Sequence, residues 1–499
     1  MTTEAEGRDE PLQRVLARAH RAHTAGRLDE AADGYREVLR RDPEDARANF
    51  LLGTLLRARG ETETGIERLR TAVRFDPNLV DAQHNLGNAL RDTGDLPGAL
   101  AAYEAAVARA PGRVETRLNM AKVLAAVGRT DEAERHLRKI LVHRPGMADA
   151  HYQFGQIRRD QGDLDAALDA FRRAAESAPD SVLVQRTLGD VLRAAGEPTE
   201  AVAHYERAAD LASDDARTWN LLGNARSEAG DNEGAIPAYQ EAIRLAPDMA
   251  VPDINLGNAA REIGDNTTAL DAYDRAAALD PDRWDAHFYR GTMLMTFGRA
   301  REARDALARA VDLKPDEAKA HNNLGNAYAE LGEHRTAIDC YDKAVELDPG
   351  FVWAHANLLK LLERTNQLDR AAAVAAEAEH LDPSDFDIQV ATARVLRRRK
   401  RYQEARDRLR PMLDANPDKA RDPFRSDAYF LLGEVEDLVG NANAAFDAFA
   451  RGNAVAEHSP RAEGYSKAAY LDGIERGIAT FTSDWVATWR PHTATDDGC

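Results

Sequence analysis

The chain has 499 residues, more than one compact core usually holds, so it contains either several domains or a one-dimensional array. Hydrophobic residues make up 43% and charged residues 30%, which supplies enough apolar surface for burial and argues against disorder. With 66 Lys and Arg against 85 Asp and Glu the net charge is −19, which speaks against nucleic acid or an anionic membrane surface as partner, since both need cations.

The opening MTTEAEGRDEPLQR lacks the apolar run of a secretory signal, and residues 1–11 read as a disordered N-terminus. No stretch approaches the ~18 apolar residues of a membrane span. Cys340 and Cys499 are the only cysteines; they form no CxxC and no zinc-ligand spacing, which suits a reducing compartment. A cytoplasmic protein is expected.

From residue 12 the chain is periodic. Prolines stand at Pro43, Pro77, Pro111, Pro145, Pro179, Pro247, Pro281, Pro315, Pro349, Pro383 and Pro417, 34 residues apart except for one gap of 68 whose midpoint is Ser213. Twelve units in register thus fill 12–419, and a fixed period of this size means a solenoid. Each unit reads as two helices. A glycine 17 residues before the proline, from Gly26 to Gly332, ends the first helix in a left-handed turn. Asn366 and Lys400 take that place in the last two units, and lysine suits it poorly. The proline stops the second helix, and the residue after it, such as Glu44, Asp180, Asp248 or Ser384, is expected to cap the next.

Small residues mark close helix contacts. Alanine stands 12 before nearly every proline, as in Ala31, Ala235 and Ala405, and glycine 10 after many, as in Gly53, Gly87, Gly223 and Gly325. Aromatics eight before the proline, such as Tyr103, Phe171, Tyr239 and Tyr341, are expected to fill the space between units.

On these residues the chain resembles the tetratricopeptide repeat, best seen in DARTWNLLGNARSEAGDNEGAIPAYQEAIRLAPD (215–248), where Trp219, Leu222, Gly223, Gly230, Ala235, Tyr239, Ala242 and Pro247 stand where the family pattern has them. The resemblance implies an all-α fold, an α-α right-handed superhelix of helix-turn-helix repeats, whose concave groove binds peptides or protein partners.

An asparagine row runs through the first helices. Asn88, Asn224, Asn258 and Asn326 follow the small glycine, and Asn85, Asn119, Asn255, Asn323 and Asn357 precede the small residue by two. At 100° per residue these amides fall on the side away from the leucines. Asparagine is unfavourable in helix interiors by up to ~0.7 kcal/mol against alanine, so a row of nine in register asks for a reason. One reason is a ladder that holds a peptide backbone in the groove, since an amide both donates and accepts. The other is bonding between neighbouring turns or units. Similar ladders occur in repeat arrays attached to glycosyltransferases. The lysine-and-arginine clamp of chaperone-tail binders is missing, because His84, Asp149 and Gln153 stand at its basic positions.

The segment 394–410 holds nine basic and two acidic residues, and Arg397, Arg398, Arg399, Lys400 and Arg401 could dock an anionic partner or simply be a solvated face. Histidines such as His151, His287, His321 and His355 come one per unit and make no clear ligand set, so no metal is expected. Phosphate-loop, zinc-protease, nucleophile-elbow and dinucleotide motifs are missing, so no cofactor and no enzyme is expected.

After Pro417 the register breaks. Residues 420–458 read as an insertion (DKARDPFRSD, 418–427) plus a degenerate thirteenth unit with Gly433, Gly440, Ala445 and Phe449; 459–490 read as C-terminal capping helices, and 491–499 as a disordered tail. FLLGEVEDLVGNANAAFDAFARGNAV (430–455) and ATFTSDW (479–485) are similar to the connector of bacterial tetratricopeptide-repeat sulfotransferases, which implies a recruiting module whose catalytic part is lost or encoded elsewhere. Two functions are expected, in this order: an interaction scaffold, and a substrate-recruiting module of a split or truncated sulfotransferase.

Overall fold

Two turns alternate along the chain, and each has a local cause. The computed structural model describes residues 10–414 and 423–457. At the turn within a repeat the glycine is left-handed, with φ +86° at Gly230, and the N–H of Asp231 donates back to the Arg226 carbonyl at 2.8 Å, closing the helix end. Asn366 and Lys400 adopt the same conformation, with φ 61° and 60°. At Lys400 the repeat geometry overrides the residue's own preference.

The turn between repeats corrects an expectation. The residue after the proline does not open the next helix; each first helix begins three residues past the proline, as at Ala46, Val80 and Ala318. The cause is a backbone turn in which the N–H of the residue two past the proline donates to the carbonyl of the residue before it, as from Asp45 to Asp42 (3.3 Å), Leu79 to Asp76 (3.2 Å) and Glu317 to Lys314 (3.3 Å); several repeats reinforce it with an aspartate before the proline. Its carboxylate accepts from the N–H of the residue after the proline (Asp76 from Asn78, 2.9 Å; Asp382 from Ser384, 2.9 Å), which ties that residue into a turn. Where a side chain caps the helix, it is the residue two past the proline, such as Asp45 (2.7 Å from the Ala48 nitrogen) or Asp385 (2.8 Å from that of Ile388). A further brace sits six past the proline. Gln83, His151, Gln185, His321 and His355 each bond the carbonyl oxygen of the proline that ends the preceding repeat, at 2.6–3.1 Å.

Among the described residues there are 26 helices and no strand, and the chain divides into two units, at Asp265 and Asn266. The first unit holds α1 (Leu12–Thr24), α2 (Leu28–Arg41), α3 (Ala46–Ala58), α4 (Thr62–Phe75), α5 (Val80–Asp92), α6 (Leu96–Arg109), α7 (Val114–Ala126), α8 (Thr130–His143), α9 (Ala148–Asp160), α10 (Leu164–Ser177), α11 (Val182–Ala194), α12 (Pro198–Leu211), α13 (Ala216–Glu228), α14 (Asn232–Leu245) and α15 (Ala250–Glu262). The second holds α16 (Asn266–Leu279), α17 (Trp284–Thr296), α18 (Ala300–Leu313), α19 (Ala318–Glu330), α20 (His334–Leu347), α21 (Val352–Arg364), α22 (Leu368–Leu381), α23 (Phe386–Arg398), α24 (Tyr402–Asp414), α25 (Pro423–Leu438) and α26 (Ala442–Glu457). Odd-numbered helices are the first of each repeat. Part of the expected insertion, from residue 423 onward, is the opening of α25. The expected capping helices and tail lie outside the described residues, as does most of the N-terminal segment.

Within each unit every helix pair packs on the next, and first helices also meet each other directly, α3 with α5 and α5 with α7 in one unit, α17 with α19 and α19 with α21 in the other. Each unit therefore presents a contiguous row of first helices. The core follows the stack, with one apolar cluster running from Ile66 to Ile157 through four successive repeats.

The small residues are where the helices touch. Ala31, Ala99, Ala235, Ala337 and Ala405 are fully buried. The aromatics do not chiefly fill the space between repeats, as expected from sequence; each lies on the glycine of its own first helix. A methyl group added at Gly223 would stand 2.5 Å from the Tyr239 ring, and one at Gly87 2.6 Å from that of Tyr103. The thirteenth repeat keeps the device, with Phe449 over Gly433 at 2.6 Å. Gly223→Ala would gain up to ~1 kcal/mol of helix propensity. It would also force the ring out of its seat, so a net destabilisation of ~1–3 kcal/mol is expected in chemical denaturation. Unchanged or increased stability would contradict this packing.

Candidate functional site

The nine predicted asparagines are all half-buried on the first helices, and the structure joins eight of them across repeats. Three copies of one arrangement recur. Tyr103 donates its hydroxyl to Asn88 Oδ1 (2.6 Å), and Asn119 of the next repeat donates Nδ2 to the same oxygen (2.9 Å). Tyr239, Asn224 and Asn255 repeat this at 3.0 and 3.0 Å, and Tyr341, Asn326 and Asn357 at 2.8 and 3.2 Å. Asn255 and Asn357 also reach Asn220 and Asn322, each at 3.0 Å. Where threonine replaces the first asparagine the link persists, from Asn85 to Thr54 at 3.1 Å and from Asn323 to Thr292 at 3.0 Å. Asn258 lies at the same register, half-buried.

The phenols that hold these amides stay protonated. Burial pushes Tyr103 up to about 12 and raises Tyr239 and Tyr341 further. Tyr205 makes the equivalent bond to Asp190 at 2.6 Å. Sequence reasoning missed the tyrosine–amide link, although the constant spacing of 15 residues between the two partners was there to find it.

Bonding between repeats uses one half of five of these amides and leaves the other half unused, whereas Asn88 also bonds His84 and Asn323 also accepts from Asn322. Among the described residues no partner reaches Oδ1 of Asn119, Asn255 or Asn357, nor Nδ2 of Asn224 or Asn326. None of these five atoms is among the fully buried unbonded ones, so each keeps some contact with solvent. The face therefore offers an acceptor and a donor side by side from neighbouring repeats, the pattern a peptide unit offers in return.

The arginine cluster comes together differently. Arg397 pairs with Glu434, Arg398 with Glu363 at 3.1 Å, Arg399 with Asp369 at 3.3 Å, and Arg401 with Glu404 at 2.5 Å. Only Lys400 of the five lacks an ion-pair partner among the described residues. The segment thus presents matched pairs with carboxylates of flanking repeats. Among the described residues no three His, Cys, Asp or Glu side chains gather as metal ligands. The half-buried Cys340 has its thiol pushed up to about 11 by burial, so it packs as a neutral group. Among the described residues no helix is long and apolar enough to cross a membrane.

His84 adds a titratable group to the first amide set. Its Nδ1 lies 2.9 Å from Thr116 Oγ1, and its Nε2 lies 3.0 Å from Asn88 Nδ2, which can only donate. Burial, then the charge of Arg113, holds its pKa below the ordinary 6.5. The folded chain therefore favours the neutral ring. The associated stability is complete above the ordinary value and is lost as pH falls below it. His23, His136 and His204 are depressed by burial in the same unit, so they add to the same slope. The expected result is a melting temperature that falls between about pH 7 and pH 5, with a shallower fall in His84→Gln. Identical slopes in the two proteins would contradict the assignment.

Three family models, each described as tetratricopeptide repeat, match the chain: one over 318–351, one over 180–248, and one over 16–80, 52–114, 118–182, 254–316 and 357–420. None of the curated proteins matches it. Among solved structures it is similar to MamA, at 28% identity over 32% of this chain and 95% of that one, with a TM-score of 0.31. It is also similar to YrrB, described as a TPR protein with an unusual peptide-binding site, at 25% identity over 38% and 97% of the two chains and a TM-score of 0.33. A third likeness is to a chain of the Cut9–Hcn1 hetero-tetramer of the APC/C, at 15% identity over 85% and 96%, with a TM-score of 0.42.

Proposed function

Because the chain belongs to the tetratricopeptide-repeat family, we propose that it is an interaction scaffold that holds a peptide or protein partner along the row of first helices and performs no chemistry on it. The observation that supports this reading is the set of half-used amides. Tyrosine and neighbouring asparagine fix each side chain, so little rotamer entropy remains to be lost when a guest binds. The unused donor and acceptor can pair with the backbone of an extended segment whatever its side chains are. Bonding between repeats and bonding to a partner are then two uses of one group.

The sulfotransferase-recruiting alternative rests on sequence likeness alone. Residues 430–455 form most of α25 and α26 with the Gly433–Phe449 contact of an ordinary repeat, and 479–485 lie outside the described residues.

The test is Asn255→Ala combined with Asn357→Ala. Each change removes an unused acceptor together with its inter-repeat bonds. Four inter-repeat bonds are lost, at about 1 kcal/mol each, spread over two distant repeats of a long array, and the better helix propensity of alanine partly offsets this. The variant should therefore remain folded by circular dichroism while capturing far less of the partner that the wild-type protein retains from lysate. Undiminished capture by the folded variant would overturn the reading.

A further inference from the structure

Trp353 on α21 is 66% exposed, and no ring or cation among the described residues stacks on it. The fold does not require an aromatic there. Most other repeats carry a charge at that register, as with Asp81, Asp149, Arg217 and Asp285; Leu183 and Val251 are apolar exceptions. The indole lies one turn before Asn357, whose Oδ1 is unused, so both sit on one stripe of the helix. On α19, which packs against α21, Lys319 occupies the matching position and lies one turn before Asn323. Lys319 is exposed and has no ion-pair partner among the described residues. Other charges on α21 are matched, Lys360 with Asp387 at 2.7 Å and Glu363 with Arg398 at 3.1 Å. The site therefore combines an apolar plate, one unopposed cation and the unused Oδ1 of Asn357 and Nδ2 of Asn326.

We propose that this face of the second unit takes an extended peptide with a bulky apolar side chain on Trp353 and an acidic side chain on Lys319. Packed helices lie ~8–10 Å apart, and a chain extended as polyproline II advances ~3.1 Å per residue with about three residues per turn, so two side chains on one side of it span that distance when about three residues apart. The amides hold the intervening backbone, and in that respect the inference rests on the scaffold reading above. Trp353 and Lys319 supply the selectivity that amides cannot.

The experiment is selection of a displayed library of random peptides of about 12 residues, long enough when extended to cross several first helices, on the full-length protein. The expected consensus has a bulky apolar residue and an acidic residue about three positions away. Trp353→Asp should abolish the enrichment and weaken a selected peptide about ten-fold or more, while Trp353→Phe retains it. Both variants should melt within a degree or two of wild type, since the position is exposed. Lys319→Glu should replace the acidic preference by a basic one. A consensus lacking the apolar residue, or one unaffected by Trp353→Asp, would overturn the inference and leave the scaffold reading intact if Asn357→Ala still weakened binding. Failure to enrich any peptide would overturn the inference, and the scaffold reading would then be decided by the lysate capture alone.

Discussion

In many repeats the second helix meets the first where the first carries no side chain, and at that point an aromatic ring lies down. Gly223 under Tyr239 and Gly325 under Tyr341 are such seats, and a single methyl group at either would collide with the ring. The seat fixes the distance between the two helices. It also fixes where the phenol emerges, one residue along the first helix, at Asn224 and Asn326. One contact thus determines both the packing of the repeat and the orientation of its binding group. Where the ring is Phe171 or Phe449, or the residue is Leu307 over Gly291, the packing half of the device remains and no hydroxyl is delivered.

Repetition then turns a local contact into a surface. No repeat buries its apolar face alone, so each adds to its neighbour, and the same register recurs at every step. The asparagine of one repeat bonds the asparagine of the one before, which locks adjacent first helices together and leaves an open donor or acceptor on each side. A face built this way is generic, because backbone amides are common to every peptide. Specificity must come from departures from the repeat, and Trp353 and Lys319 are departures of that kind, as is His84 beside Asn88.

The fold was legible because its turns make demands on residue type. A left-handed residue favours glycine, and a helix stop favours proline, so both recur visibly every 34 residues. Lys400 shows the limit, since the turn forms there with an unsuited residue. Helix starts were misplaced because the residues after the proline are absorbed by a backbone turn, such as that of Leu79 on the Asp76 carbonyl at 3.2 Å, which residue periodicity does not reveal. The asparagine face was legible from the helical wheel, but its bonding was not. Partners 15 and 31 residues apart become neighbours only once the helices are packed. The pairing of the basic segment was hidden in the same way, because carboxylates that match it, such as Glu363 and Asp369, come from the preceding repeat. The histidines found a plain use at His151, His321 and His355 as donors to a proline carbonyl.

That a ring on glycine and a phenol on an amide act as one device is open to a direct measurement. Tyr239→Phe combined with Tyr341→Phe keeps both rings seated and removes only the two hydroxyls. Titration calorimetry with a peptide selected on the wild-type protein should show affinity falling several-fold while the unfolding free energy changes by no more than about 1 kcal/mol per hydroxyl. Full affinity in this variant would mean that the amides are positioned without the tyrosines, and the link between fold and binding face would fail.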